Sequence, residues 1–180
     1  GLVDEVGDKA LILVDGREVV FDVFGITMWG ALPVHLEDIE RIEIIRGPGS
    51  ALYGANAHSL VVSIVTREAK GQTAEVFAGG GEHDRGSYHL RLGTAPGDWR
   101  LQLTGSRETA GSWRAIDRRE RDVYRVRLHV QRKWPESVTG LHLGMVSSRQ
   151  LLEATFMPYT VDEKPRVYAN LTHRTDWLQT

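Results

Sequence analysis

The chain has 180 residues, a formal net charge of -2, a pI near 6.4 and no cysteine. The lack of thiols excludes disulfides, zinc-thiolate sites and cysteine nucleophiles, and the lack of a basic excess argues against nucleic acid bound through its phosphates. No apolar run reaches the roughly 18 residues of a membrane-spanning helix, and the first residues lack the basic and then apolar order of a secretion signal, but neither point bears on a β-barrel, whose strands turn only alternate side chains to lipid.

In chain order, Ala10 to Val14 is apolar and β-prone and ends at Asp15-Gly16, a turn dipeptide that tolerates positive φ, so a hairpin into Glu18 to Val23 is expected. Pro33 suits the first turn of a helix, and the polar Glu37-Asp38 follow, which predicts a short helix over Val34 to Asp38. Ile39 to Arg46 sets Ile42 and Ile44 against Arg41, Glu43 and Arg46, the period-two pattern of a half-buried strand, and Gly47-Pro48-Gly49 stops it. A second apolar strand, VVSIVTRE, covers Val61 to Glu68.

After Gly71 the texture changes to long alternating segments. Thr73 to Gly81 alternates weakly. Ser87 to Thr94 places Tyr88, Leu90 and Leu92 opposite His89 and Arg91, and Trp99 to Ser106 places Trp99, Leu101 and Leu103 opposite Arg100, Gln102, Thr104 and Ser106. Val123 to Trp134 sets Tyr124, Val126, Leu128 and Val130 against Arg125, Arg127, His129 and Gln131; Thr139 to Ser148 and Arg166 to Leu178 continue the pattern. Ala95 to Asp98 and Pro135 to Ser137 read as tight turns, and Glu108 to Arg121 and Gln150 to Pro165 as long irregular loops. Alternate short and long connections are the habit of transmembrane barrels.

Ile39 to Asn56, reading IERIEIIRGPGSALYGAN, resembles the plug domain of TonB-dependent outer-membrane receptors. LILVDG at Leu11 to Gly16, Trp29, the Leu32-Pro33 helix entry and VVSIVTRE keep that family's order and spacing, so the resemblance covers residues 9–70. Leu60 stands where the family commonly has glycine, and Ser63 where it commonly has asparagine. The resemblance implies a mixed fold class: an α+β plug domain followed by antiparallel transmembrane β-barrel strands, an incomplete barrel. Residues 1–70 would be the C-terminal part of the plug and 71–180 the N-terminal strands of the barrel. Barrels with a plugged lumen have about 22 strands, so a chain with some six such segments is expected to be an internal fragment. The implied function is uptake of a scarce nutrient such as a ferric siderophore, haem or cobalamin across the outer membrane of a Gram-negative type cell, without covalent change to the cargo. The implied partners are outer-membrane lipid, the TonB energy-transducing complex and a metal chelate or other small nutrient. A receptor-like barrel used for signalling or adhesion shares these features, and a soluble all-β binding protein is the remaining alternative.

The resemblance nominates Trp29, Arg46, Gly47, Pro48, Gly49, Ser50, Tyr53 and Asn56 as plug-loop or ligand residues, and Arg41, Glu43 and Arg46 as plug-to-barrel contacts. Alternation nominates Arg91, Arg100, Arg125, Arg127 and His129 as facing a wet lumen, since arginine at the lipid midplane costs about 2 to 4 kcal/mol. They could attract an anionic cargo or pair with plug acids such as Glu40 and Glu43. Trp99, Trp134 and Trp177 share the parity of their apolar neighbours and fall at one end of their strands, as an aromatic girdle requires. The glycines at 47, 49 and 54 lack the Gly-Lys-Ser/Thr of a phosphate loop, the histidines are dispersed, and neither a nucleophile elbow nor a paired-carboxylate site stands out. No catalytic residue, cofactor or resident metal is expected, and the chain does not read as an enzyme.

Overall fold

The computed structural model describes residues 10–19, 32–46, 60–111, 119–154 and 157–175, with side chains for all of these apart from 10, 119 and 150–164. Two compact units divide between Arg67 and Glu68.

In the first unit β1 (Ala10–Val14), β2 (Arg17–Glu18), β3 (Ile39–Arg46) and β4 (Leu60–Thr66) form one sheet in the order β2-β1-β4-β3. β1 and β4 run parallel, from Ala10 opposite Leu60 to Val14 opposite Ile64, while β3 is antiparallel to β4. Both faces of the central pair are covered. Leu11 and Leu13 pack with Val61 and Ile45; Ile12 and Val14 pack with Val19, Val34, Val62 and Ile64. Parallel strands buried on both sides read as continuous apolar runs, which is the physical reason for LILV and LVVSIV. Fully burying one such side chain is worth about 1.5 to 3 kcal/mol.

Asp15 (φ 49°) and Gly16 (φ 77°) both occupy the left-handed region, as a two-residue turn between twisted antiparallel strands demands. The hairpin expected here is present, with β2 described over Arg17–Glu18; residues 20–23 lie outside the described residues. The helix expected over Val34 to Asp38 is instead a single 3-10 turn, Leu36–Asp38. His35 Nδ1 caps it by accepting from the Glu37 amide, and β3 begins at once at Ile39 while the Asp38 carbonyl accepts from the Arg67 amide. That backbone is taken by the sheet before a second turn can form. β3 also departs from expectation: a bulge lies between Ile39 and Arg41, and Ile42 and Ile44 are 51% and 67% exposed on what is an edge strand.

The second unit is an antiparallel meander of six strands, each paired with its sequence neighbours: β5 (Thr73–Gly81), β6 (Arg85–Thr94), β7 (Trp99–Ala110), β8 (Arg119–Lys133), β9 (Ser137–Ala154) and β10 (Met157–Thr175). Of the long loops expected at Glu108 to Arg121 and Gln150 to Pro165, residues 108–110, 119–121, 150–154 and 157–165 are strand, and 112–118 and 155–156 lie outside the described residues. Glu108 pairs with Val123, Ala110 with Arg121 and Leu152 with Tyr159. Ladder hydrogen bonds need no apolar side chains, so pairing continues where alternation fades. Pro165, which has no amide to donate, coincides with a register shift between Glu163 and Arg166.

The two faces of this sheet are inverted relative to a water-soluble protein. One carries the rows Val76-Leu90-Gly105-Val126-Met145-Val167 and Ala74-Leu92-Leu103-Leu128-Leu143-Ala169, and the leucines and valines of these rows are exposed. The other buries His89, Arg91, Gln102, Thr104, Arg125, Arg127 and Gln131. Aromatic side chains bound the apolar band: Trp99 opens β7 and Trp134 follows β8 at the same end, and Tyr88, Arg107 and Tyr124 share a row at the other. Tyr124 to Arg132, the residue opposite Trp99, is nine residues. A tilted transmembrane strand takes about 9 to 11. Trp177 lies outside the described residues.

Candidate functional site

The polar face of the six-stranded sheet holds the site. Antiparallel register puts directly opposed residues on one face, so β5 to β10 line up Glu75, Arg91, Thr104, Arg127, Gly144 and Tyr168 as one row. The next row runs Phe77, His89, Ser106, Arg125, Val146 and Arg166. Arg91 and Arg127 therefore stand two strands apart, roughly 10 Å, with Thr104 between them.

Buried cations need partners, because an ion taken from water without compensation is strongly destabilising. Arg91 forms an ion pair with Glu75. Arg125, only 5% exposed, is 2.7 Å from Glu108, whose other oxygen is 3.9 Å from Arg121. Arg100 donates to Glu68 at 2.8 Å and to Gln131 at 3.4 Å, and Gln131 in turn donates to Glu68. The carboxylates that meet these arginines thus include residues of the same unit, Glu68, Glu75 and Glu108, which alternation did not single out. For Glu75 and Glu108 parity was the available signal, since each follows its strand's polar set, whereas Glu68 lies between β4 and β5. Arg127 is buried on the same face.

His129 and His142 are directly opposed on β8 and β9, and their rings stack with centroids 3.9 Å apart. His89 sits in another row. Among the described residues no group of three or more His, Cys, Asp or Glu could hold a metal ion.

Smallness shapes the face as much as charge. A Cβ at Gly144 would run into the ring of Tyr168, its cross-strand partner, and a Cβ at Gly140 would come within 2.8 Å of Thr172 Oγ1. Glycine in a strand here marks where a neighbour leans across the backbone.

In the first unit Arg41 Nε donates to Glu43 Oε1 at 2.7 Å, and this hydrogen bond raises the guanidinium pKa above its ordinary value. Both side chains are exposed, as is Arg46 at the end of β3. Trp29, Gly47, Pro48, Gly49, Ser50, Tyr53 and Asn56 lie outside the described residues.

A family model described as TonB-dependent Receptor Plug Domain matches residues 1–61. The vitamin B12 transporter of Photobacterium profundum is 39% identical over 88 residues, covering 48% of this chain and 14% of that protein. Residues 1–61 thus match the plug domain of TonB-dependent receptors, and the chain is similar to members of that family. The ferric enterobactin receptor of Pseudomonas aeruginosa is 38% identical over 78 residues, covering 37% of this chain and 10% of that protein. Among solved structures, the siderophore receptor PirA of Acinetobacter baumannii superposes with a TM-score of 0.69 at 17% identity, over 95% of this chain and 30% of that one. The chain thus spans a minor part of the length of these TonB-dependent receptors. Proteins of this family named here are transporters and receptors, not enzymes.

Proposed function

We propose that this chain is the later part of the plug and the first barrel hairpins of an outer-membrane transporter for a scarce nutrient, a ferric siderophore, haem or cobalamin. The inverted six-stranded sheet carries that reading: leucines and valines stay exposed on one face while arginines and a histidine are buried on the other. A soluble sandwich would cover the apolar rows with a second sheet. Hydrocarbon outside and a wet interior account for both faces at once. The cobalamin and ferric enterobactin names of the relatives support the cargo classes.

On this reading residues 1–70 belong to the plug and 71–180 to the barrel, a division near the change of compact unit after Arg67. Arg91, Arg100, Arg125, Arg127 and His129 face the lumen; Arg41 and Arg46 meet barrel acids, with Glu43 a further plug-to-barrel contact; and the loop from Gly47 to Asn56, with Trp29, takes part in cargo recognition or signal relay. The TonB complex supplies the energy.

Expression of the full-length receptor in a Gram-negative host lacking its own ferric-siderophore and cobalamin receptors tests this. Uptake of one cargo class is expected, abolished when the energy-transducing partner is deleted. A receptor that fractionates with soluble proteins, or that supports no uptake of any of the three classes, would defeat the proposal.

A further inference from the structure

The apolar face carries two arginine-aromatic clusters, one at each end of the band, and they differ in charge balance. At the Tyr88 and Tyr124 end Arg107 lies 4.8 Å from the Tyr124 ring and is neutralised by Asp122 through two parallel hydrogen bonds of 3.1 Å. At the Trp99 and Trp134 end Arg132 lies over both indoles, 5.1 Å and 3.8 Å from the ring centroids. Among the described residues no carboxylate pairs with it, and its buried Nε has no hydrogen-bond partner. Two indole faces hold the guanidinium in place while its outer nitrogens keep their donors.

The same row continues through Thr139 to His173. The Trp134 indole N–H donates to Thr139 Oγ1 at 3.2 Å, and Thr139 lies 2.9 Å from His173 Nδ1. In the tautomer in which the Thr139 hydroxyl donates to Nδ1, the exposed His173 keeps its Nε2–H as a donor. The adjoining row of the band is Leu101, Val130, Leu141 and Leu171. A cation without a counterion, a second N–H donor and an apolar strip beside them complement a ligand with an anionic head and hydrocarbon tails.

We infer that Arg132, clamped by Trp99 and Trp134 and extended by Thr139 and His173, is a binding site for the phosphate of an anionic phospholipid at one rim of the apolar band. This rests on the outer-membrane reading above. The opposite rim is self-neutralised and does not share the preference.

Native mass spectrometry of the full-length receptor, released from detergent with dioleoylphosphatidylglycerol or dioleoylphosphatidylcholine, tests it. The wild type is expected to retain phosphatidylglycerol in preference, and Arg132→Gln to lower that retention about fivefold, the effect of one interfacial cation. Arg107→Gln should leave it unchanged. Trp134→Leu, which removes the platform and keeps the charge, should weaken retention as well, so that a folding failure of one variant leaves the other to decide. Equal retention by the wild type and by Arg132→Gln or Trp134→Leu would overturn the site, and displacement of the lipid by inorganic phosphate alone would overturn its identity as lipid. Tryptophan quenching by brominated phosphatidylcholine separates the two levels. Quenching without phosphatidylglycerol preference sinks only the site, whereas no quenching in reconstituted receptor sinks the membrane reading and the site with it.

Discussion

Asp15 holds Thr66 with both carboxylate oxygens: Oδ1 accepts from the Thr66 amide and Oδ2 from its hydroxyl, each at 2.9 Å. The Asp15 amide donates to the Ile64 carbonyl, so the β1-β2 turn is tied to the end of β4 across 51 residues of chain. One residue both adopts the turn's left-handed backbone and closes the parallel pair.

Asp15→Ala should therefore cost more than Thr66→Val. Removing the carboxylate strands a buried amide and a hydroxyl, worth about 2 kcal/mol or more, whereas Thr66→Val loses one hydrogen bond, worth about 1 kcal/mol. Hydrogen exchange at the β4 amides of the full-length protein should accelerate in that order. The reverse order would show that the tie is incidental.

Gly144 and Tyr168 form a second tight relationship. Gly144→Val should force the ring off the β9 backbone and cost about 1 to 3 kcal/mol. Tyr168→Ser in the same background should recover part of the loss, giving a non-additive cycle in thermal unfolding. Strict additivity would mean the ring moves aside freely.

Glu108→Gln is expected to be the more damaging of two acid removals on the polar face. Glu108 serves Arg125, 5% exposed, and is itself mostly buried, so loss of its charge should approach the roughly 3 to 5 kcal/mol of a broken buried pair. Glu75, half exposed beside Arg91, leaves room for solvent to substitute, and Glu75→Gln should cost about 1 kcal/mol. Denaturant midpoints of the two variants in lipid or detergent give the comparison; equal shifts would contradict it.

Leu128→Arg places a guanidinium at mid-band on the exposed face and should cost about 2 to 4 kcal/mol of refolding free energy into vesicles. Thr104→Val, on the other face, should cost far less. A neutral Leu128→Arg would argue that this face meets water.

Alternation located the six strands of the second unit, Thr73 to Gly81 the most weakly, because period-two patterning survives wherever one side chain in two must avoid water or hydrocarbon. It missed the strand at residues 108–110, 119–121, 150–154 and 157–165, where the period-two pattern fades and β7 to β10 rest on backbone pairing that leaves no trace in side-chain pattern. The helix over Val34 to Asp38 was misread for a related reason. Pro33 and two acids favour a helical start, but the length available was set by the pairing of Ile39 with Thr66 and by the Arg67 amide, 29 residues past Asp38.

Of the site, the arginines were legible by parity and their partners were not. Glu75 and Glu108 were ordinary acids until register placed them opposite the strands that carry Arg91 and Arg125. What the amino-acid order determined by itself was local: which residues pair in a turn, which strands alternate, and the plug-like succession of motifs. The tertiary structure decided the relations between strands, the parallel β1-β4 core, the Asp15-Thr66 closure, the Arg132 clamp and the glycine under Tyr168. These depend on register, and hydrogen bonding between distant strands sets register through contacts that sequence separation conceals.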